Sequence, residues 1–162
     1  MKKTLLIVIG VLICFILILQ LFSPKFENPP VKAKLEAPPE VQKILQDSCY
    51  DCHSNETKYP WYASIAPVSF LVAHDIKEGR RKLNFSEWNY SQKKGNKKIA
   101  DIREEVLEDS EMPPWFYVMM HSKAKMTDQK KEIIRKWLSS METGNNSQAN
   151  TKTESEDEED DD

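Results

Sequence analysis

Cys49-Tyr50-Asp51-Cys52-His53 is the stretch that decides how this 162-residue chain is organised. Two thiols three residues apart lie near each other on one helical turn, so both can add to the two vinyl groups of one porphyrin. The imidazole on the next residue then reaches the iron as an axial ligand. C-x-x-C-H is the attachment pattern of a covalent c-type haem. The motif therefore predicts one haem c, attached through Cys49 and Cys52, with His53 as the proximal iron ligand.

Three other uses of paired cysteines fit the sequence less well. A dithiol redox pair usually sits in a βαβ context, and no such pattern surrounds this motif. A structural zinc site needs four ligands, whereas the chain has three cysteines, Cys14, Cys49 and Cys52, and its other histidines are not at zinc spacing. A disulfide across so short a loop would be strained and would leave His53 unexplained.

An apolar run from Thr4 to Phe22 follows two N-terminal lysines and contains one clearly polar residue, Gln20. Its length nearly matches a hydrocarbon core of about 30 Å. A cleaved signal peptide has a shorter apolar region, about 7–15 residues, and a small-x-small cleavage site. Cys14 follows the bulky Ile13, which argues against a lipidation site. We therefore predict an uncleaved single-pass anchor in the inner (cytoplasmic) membrane, with the C-terminal domain on the periplasmic side because Lys2 and Lys3 stay cytoplasmic.

Composition divides the chain into four segments. Residues 1–22 form the predicted anchor, and the proline-rich residues 23–39 predict a semi-extended linker. Residues 40–141 contain all four tryptophans and all five tyrosines, which predicts one small domain that a bound haem helps to stabilise. Residues 142–162 hold nine acids and one lysine, so this tail is predicted to be disordered. The tail lends itself to electrostatic steering of a partner, although solubility is the simpler explanation.

Within the domain, apolar residues recur at helical spacing, and no window alternates with the period of a strand. The sequence therefore predicts an all-α, cytochrome c-like domain. Pro67 suits the first turn of a helix that closes near Gly79, and Thr127-Asp128 suits a helix cap. The four predicted apolar faces are Val41, Ile44, Leu45, Ser48 and Cys52; Leu71, Val72 and Ile76; Ile99, Ile102, Val106 and Leu107; and Ile133, Ile134, Trp137, Leu138 and Met141.

A second axial ligand is predicted on the far side of the iron. Met112 is the favoured candidate because Pro113 and Pro114 stiffen the backbone after it, although methionine also fills gaps in small cores. His74 is the runner-up, since imidazole binds iron well, but a histidine on an apolar helix is more often structural. Trp61 is a candidate for packing against the porphyrin and equally for ordinary core packing. Arg80 and Arg81 are either propionate partners or solvated.

The motif at 49–53, Met112-Pro113-Pro114 and a closing helix with Trp137 together resemble the single-haem cytochrome c pattern, in which the methionine before proline is the sixth ligand. The chain more closely resembles the bacterial envelope haem-binding domain family over about residues 38–140. The segments that carry this resemblance are Ser48–Ser54, Tyr59–Tyr62, Gly79-Arg80, Leu83–Ser86 and Glu111–Pro113. The resemblance implies haem binding and, by analogy, electron transfer, without implying a particular redox partner.

Two classes of function remain open from the sequence. The first is a membrane-anchored electron carrier with both axial positions filled, which requires an unidentified redox partner protein. The second is a haem-based sensor or ligand-binding module with an open or weakly held sixth position. No acid–base pair beside the haem is evident, so an enzyme is the weaker interpretation, and no nucleic-acid partner is predicted.

Overall fold

The computed structural model of the protein describes residues 1–154 and confirms the predicted all-α class. Over that range there is no strand, and one isolated parallel bridge pairs Ala33 with Glu87. The α-helices are α1 (Lys2–Leu21), α2 (Pro39–Ser48), α3 (Tyr50–His53), α4 (Val68–Lys82), α5 (Gln92–Arg103), α6 (Trp115–Met120) and α7 (Asp128–Glu154). Short 3-10 turns cover Trp61–Ser64 and Ser122–Ala124, and a π-helical turn covers Glu104–Glu108.

The chain forms two compact units. The first consists of Met1–Lys32 and Tyr50–Ser86, and in it α4 packs against α3 and against the Trp61–Ser64 turn. The second consists of Ala33–Cys49 and the chain from Glu87 onward, and in it α7 packs against α2 and α5. The buried apolar side chains of the first unit include Tyr50, Ala63, Ala66, Ile76 and Phe85, and those of the second include Leu35, Val41, Leu45, Ile99, Ile134, Trp137 and Leu138.

Helix α1 coincides with the predicted apolar segment. It is 20 residues long, an 18-residue window within it has a mean hydropathy of 3.0, and none of its residues is buried. By length and composition it could cross a membrane, although a signal sequence near the N-terminus would have the same properties. Gln20, the polar residue near its end, bonds to Ser64 and Ala66 in the other segment of the first unit.

The predicted first helix of the domain is correct as far as Ser48 and then breaks. Val41, Ile44, Leu45 and Ser48 are buried on one face of α2, but Cys52 belongs to the separate four-residue helix α3. The break falls at Cys49, whose backbone is not helical (φ −127°) although its amide still bonds to Leu45 O. A helical period cannot show this break because no proline or glycine marks it.

The proline-rich segment 23–39 is not a free tether. It has no helix before Pro39, but its residues up to Lys32 belong to the first unit and contact residues 55–59 of that unit. Asn28 donates to Thr57 O (2.9 Å), Asn55 donates to Pro30 O (3.0 Å), and the Phe26 and Tyr59 rings lie 4.9 Å apart. Proline composition predicts an extended backbone correctly, but it does not report which groups that backbone contacts.

The predicted end of α4 near Gly79 is wrong, because the helix continues to Lys82. Gly79 is buried inside α4, where a Cβ atom would lie 2.5 Å from Cys52 O. A side chain there is excluded by the backbone of α3, so this glycine permits a close approach of two helices rather than ending one. The apolar face is also narrower than predicted, since Leu71 is 54% exposed.

In the second unit, the predicted helices are found with altered ends. Ile99, Ile102 and Val106 are buried, with the first two on α5 and Val106 in the π-helical turn that follows it. Helix α7 begins after Thr127, as predicted, and buries Ile134, Trp137 and Leu138. It then continues past residue 141 to Glu154, so the predicted disorder of 142–162 is not found over 142–154, and residues 155–162 lie outside the described part of the chain. One glycine in a polar helix costs only about 1 kcal/mol, which is too little to end it.

Candidate functional site

The C-x-x-C-H residues lie where the chain leaves the second unit and enters the first. Cys49 follows α2 as the last residue of its segment of the second unit, whereas Cys52 and His53 lie on α3 in the first unit. None of the three cysteines, Cys14 on α1 included, forms a disulfide. No group of three or more histidine, cysteine or acidic side chains that could hold a metal ion forms among residues 1–154.

His53 is oriented by backbone carbonyls of α4 and of the loop that follows it. Its Nδ1 atom lies 3.0 Å from Gly79 O and 3.2 Å from Leu83 O. A neutral imidazole that donates its Nδ1 proton to a carbonyl keeps a lone pair on Nε2, the atom that can bind iron. The Phe85 ring meets the imidazole edge to face at 6.5 Å and so restricts its rotation.

Burial keeps this imidazole neutral. Removal from water lowers the pKa of His53, because the charged form loses hydration, and the nearby Lys82 lowers the pKa further. The two carbonyl acceptors oppose this effect without overcoming it. A histidine ligand must be unprotonated at the atom that binds the metal, so the surroundings of His53 favour the form that ligation requires.

The lowered pKa of His53 predicts acid sensitivity of the haem-free protein. The unfolded chain takes up this proton below about pH 6.5 while the folded chain does not, so the free energy of unfolding falls by up to about 1.4 kcal/mol per pH unit below that value. Urea unfolding at pH 7.5 and pH 5.5 measures the loss. In the His53→Gln variant the extra loss should disappear, since glutamine does not titrate. An equal loss in both proteins would assign the acid sensitivity to other groups.

The thiol of Cys52 is largely removed from water. Burial raises the pKa of its thiol to about 11, and the carboxylates of Asp75 and Asp51 add to this rise against the opposing effect of Arg80. The thiol is therefore protonated at neutral pH. The backbone of Cys52 packs directly against Gly79 of α4, as described above.

A network of polar side chains fixes the loop that follows His53. Ser54, Asn55, Asn84 and Ser86 are buried, and each is hydrogen-bonded. Ser86 Oγ accepts from Asn55 N at 2.9 Å, and Asn84 donates to Asn55 Oδ1 at 3.0 Å. Phe85 N donates to His53 O at 2.8 Å. Buried polar groups that are all paired specify one arrangement, so this network holds His53 in a defined place.

Arg80 donates hydrogen bonds to several other residues of the first unit. Its Nε donates to Ser54 O at 2.8 Å, and its terminal nitrogen donates to Asn28 Oδ1 and Thr57 Oγ1. Arg80 thereby ties α4 to the loop after His53, a role that sequence reasoning missed. Arg81 pairs with Glu78 on the surface, in agreement with the solvated alternative.

The other predicted site residues lie in three places. Trp61 is 74% exposed and packs edge to face on Tyr62, so it is not a core residue. His74 is exposed on α4 in the first unit. Met112 is half-buried in the second unit, where its amide donates to Glu105 O at 3.1 Å. The contact of Trp61 with a porphyrin and the axial role of Met112 or His74 stay predictions.

The residues that orient His53 lie far from it in sequence. Gly79 and Leu83 contribute backbone carbonyls, which have no residue signature, and Asn84 and Ser86 contribute common polar side chains. The sequence signal that points to these residues is the resemblance to the haem-binding domain family, because Gly79-Arg80 and Leu83–Ser86 are among the segments on which that resemblance rests. The structure gives these segments a physical reason: they surround α3 and the loop after it.

Comparison with families of known proteins identifies one match that covers most of the chain. Residues 8–140 match the haem-binding domain family. Neither the curated proteins nor the solved structures contain a match to this chain. The matched range includes the C-x-x-C-H motif, the network around His53 and the helices α2 to α6. This chain belongs to the haem-binding domain family.

Proposed function

We propose that this protein is a membrane-anchored, single-haem c-type electron carrier of the periplasm. Cys49 and Cys52 hold the haem through thioether bonds, and His53 binds the iron. The arrangement of His53 carries the proposal. A half-buried, neutral imidazole that donates Nδ1–H to two carbonyls is prepared to bind a metal through Nε2, and it lies in a sequence whose spacing suits thioether attachment.

The chain's residues then perform three tasks. The thiols of the motif form the covalent bonds, and the carbonyls of Gly79 and Leu83 retain the Nδ1 proton, which increases the basicity of the ligating nitrogen. The buried network of Asn55, Asn84 and Ser86 limits movement of the ligand. When bound, a haem iron supplies one-electron oxidation and reduction. A rigid ligand set lowers the rearrangement that accompanies such a change, as an electron carrier requires.

An apolar surface next to Cys52 supports haem binding. Val68, Leu71, Asp75 and Gly79 share one side of α4 by helical spacing, and we call them the α4 stripe. Gly79 contacts Cys52, and Asp75 raises the pKa of the Cys52 thiol, so the stripe faces this residue. Val68 and Leu71 are 41% and 54% exposed. A porphyrin joined to Cys52 would cover them and gain the hydrophobic free energy of that burial.

The anchor and the location on the periplasmic side belong to the same proposal. Helix α1 is long and apolar enough to span the bilayer, and its first two residues, Lys2 and Lys3, favour a cytoplasmic N-terminus. Covalent haem attachment takes place on the outer side of the bacterial inner membrane, so the proposed topology and the proposed cofactor agree. The redox partner protein is then one that meets this domain in the periplasm.

Replacing Met112 tests both the sixth ligand and the class of function. In the Met112→Ala variant we expect loss of the weak absorption that a thioether gives near the red end of the ferric spectrum, a lower reduction potential, and carbon monoxide binding, with the haem still attached. The matched variant His74→Ala should leave the spectrum unchanged, because His74 is exposed. Visible spectra of the purified proteins with and without carbon monoxide provide the measurement.

Two outcomes would contradict this assignment. A spectral change in His74→Ala and none in Met112→Ala would mean that two histidines bind the iron. Carbon monoxide binding by the unmodified protein would mean an open sixth position, and the sensor or ligand-binding function would then replace the electron carrier.

A further inference from the structure

The end of the apolar helix α1 is bonded to the body of the first unit. Gln20 Nε2 donates to Ser64 O at 2.8 Å, and Gln20 Oε1 accepts from Ala66 N at 2.9 Å. We call these two bonds the Gln20 clamp. Both polar ends of the glutamine amide are thereby satisfied, which matters near a hydrocarbon core because an unpaired amide there costs several kcal/mol.

The residue between the two clamped backbone groups is apolar and exposed. Ile65 is 45% exposed, and its neighbours Ser64 and Ala66 both bond to Gln20. Gln20 is the second-last residue of α1, and Phe22 just beyond it is 73% exposed. Two large apolar side chains therefore flank the point at which α1 meets the first unit.

The length of α1 fixes where this point lies relative to a bilayer. A helix of 20 residues extends about 30 Å, the thickness of the hydrocarbon core, so its last turn reaches the outer interface. Lys25, four residues after Leu21, is exposed at a position that suits the headgroup layer. The proline-rich segment adds no free spacing, because Phe26, Asn28 and Pro30 contact the first unit.

We propose that the Gln20 clamp seats the first unit directly on the outer surface of the bilayer, with Ile65 in the lipid interface. This inference rests on the proposed membrane anchor. A semi-extended linker over residues 23–39 would hold the domain away from the membrane. In the proposed arrangement, His53 instead lies in a unit that is fixed to the membrane surface. The exposed side chain of Ile65 thus contacts lipid at the boundary between headgroups and acyl chains.

Photo-crosslinking of the full-length chain in liposomes tests the proposal. A benzophenone amino acid replaces Ile65, and as a matched control it replaces Lys82, which is exposed at the other end of α4, about 20 Å along the helix from Val68. Mass spectrometry then quantifies lipid adducts. We expect adducts at position 65 and few at position 82. Equal yields at both positions, or adducts at position 65 that join two copies of the chain instead of lipid, would overturn the proposal.

A second variant isolates the clamp. Gln20→Leu should lower the lipid adduct at position 65 by about five-fold or more, because losing two hydrogen bonds shifts an equilibrium by at least that factor. Leu17→Ala, one turn earlier on the exposed surface of α1, should leave the yield unchanged. An undiminished yield in Gln20→Leu would show that the clamp does not seat the unit.

Three controls separate failure of the anchor from failure of the seating. Resistance to carbonate extraction and an intact N-terminus by mass spectrometry establish the anchor in each sample, and haem staining on a denaturing gel establishes the cofactor. Loss of α1 from the mature protein would overturn the anchor and the seating together. An anchored, haem-containing protein without lipid adducts at position 65 would overturn the seating alone.

Discussion

The Cys49→Ala/Cys52→Ala double variant should lose all haem that survives denaturation, which is the largest effect that we expect from any substitution in this chain. Two thioether bonds hold the proposed cofactor, and no other cysteine lies in the motif. Acid–acetone extraction and haem staining of a denaturing gel measure the loss, after expression with haem-maturation machinery. The intact protein should resist the extraction and carry the mass of one haem.

The remaining cysteine provides the matched control. Cys14 is an exposed free thiol on α1, so Cys14→Ala should retain covalent haem at the level of the unmodified protein. Each single motif variant should keep haem by one bond, with an absorption shifted to longer wavelength because one vinyl group stays conjugated. A purified protein that contains zinc and has no visible haem bands would contradict the covalent attachment.

The sequence predicts the fold class because an amphipathic helix shows apolar residues at helical spacing. The buried faces of α2 and α7 appear at helical spacing, and Thr127 marks the start of α7. The sequence contains no signal for the interruption of the first predicted helix at Cys49, since the residues around it all tolerate helix. The polar composition after Met141 predicts disorder, yet α7 continues to Glu154, because a polar residue or a glycine in a helix costs at most about 1 kcal/mol relative to alanine.

The sequence likewise predicts one part of the candidate site and not the other. The motif at 49–53 indicates haem chemistry through residue types at fixed spacing. The acceptors for His53 Nδ1 are the carbonyls of Gly79 and Leu83, 26 and 30 residues downstream, and every residue carries a carbonyl. Only the packing of α3 on α4 selects these two. Arg80 illustrates the same point, because the sequence leaves a propionate or solvent as its partner, whereas in the structure its Nε donates to Ser54 O.

Gly79→Ala should destabilise the protein and disturb His53 together. A Cβ atom at this position would lie 2.5 Å from Cys52 O, 3.0 Å from Cys52 C and 3.1 Å from Cys52 Cβ. Two of these three atoms are backbone, so relief requires α3 to move away from α4. Forcing an extra methyl group into packed structure costs about 1–3 kcal/mol. The movement also lengthens the bond from His53 Nδ1 to Gly79 O, so the imidazole loses one of its two acceptors.

Gly95→Ala is the matched control, because Gly95 lies on α5, where an added Cβ atom would meet nothing within 4 Å, and alanine favours helix by about 0.5–1 kcal/mol. Thermal unfolding of the full-length proteins in detergent should show a melting temperature several degrees lower for Gly79→Ala and one equal or higher for Gly95→Ala. The haem spectrum should change only in Gly79→Ala, since only that substitution acts on His53, the proposed ligand. If Gly79→Ala melts and absorbs like the unmodified protein, α3 does not rest on α4 at this glycine, and the orientation of His53 by Gly79 O would have to be abandoned.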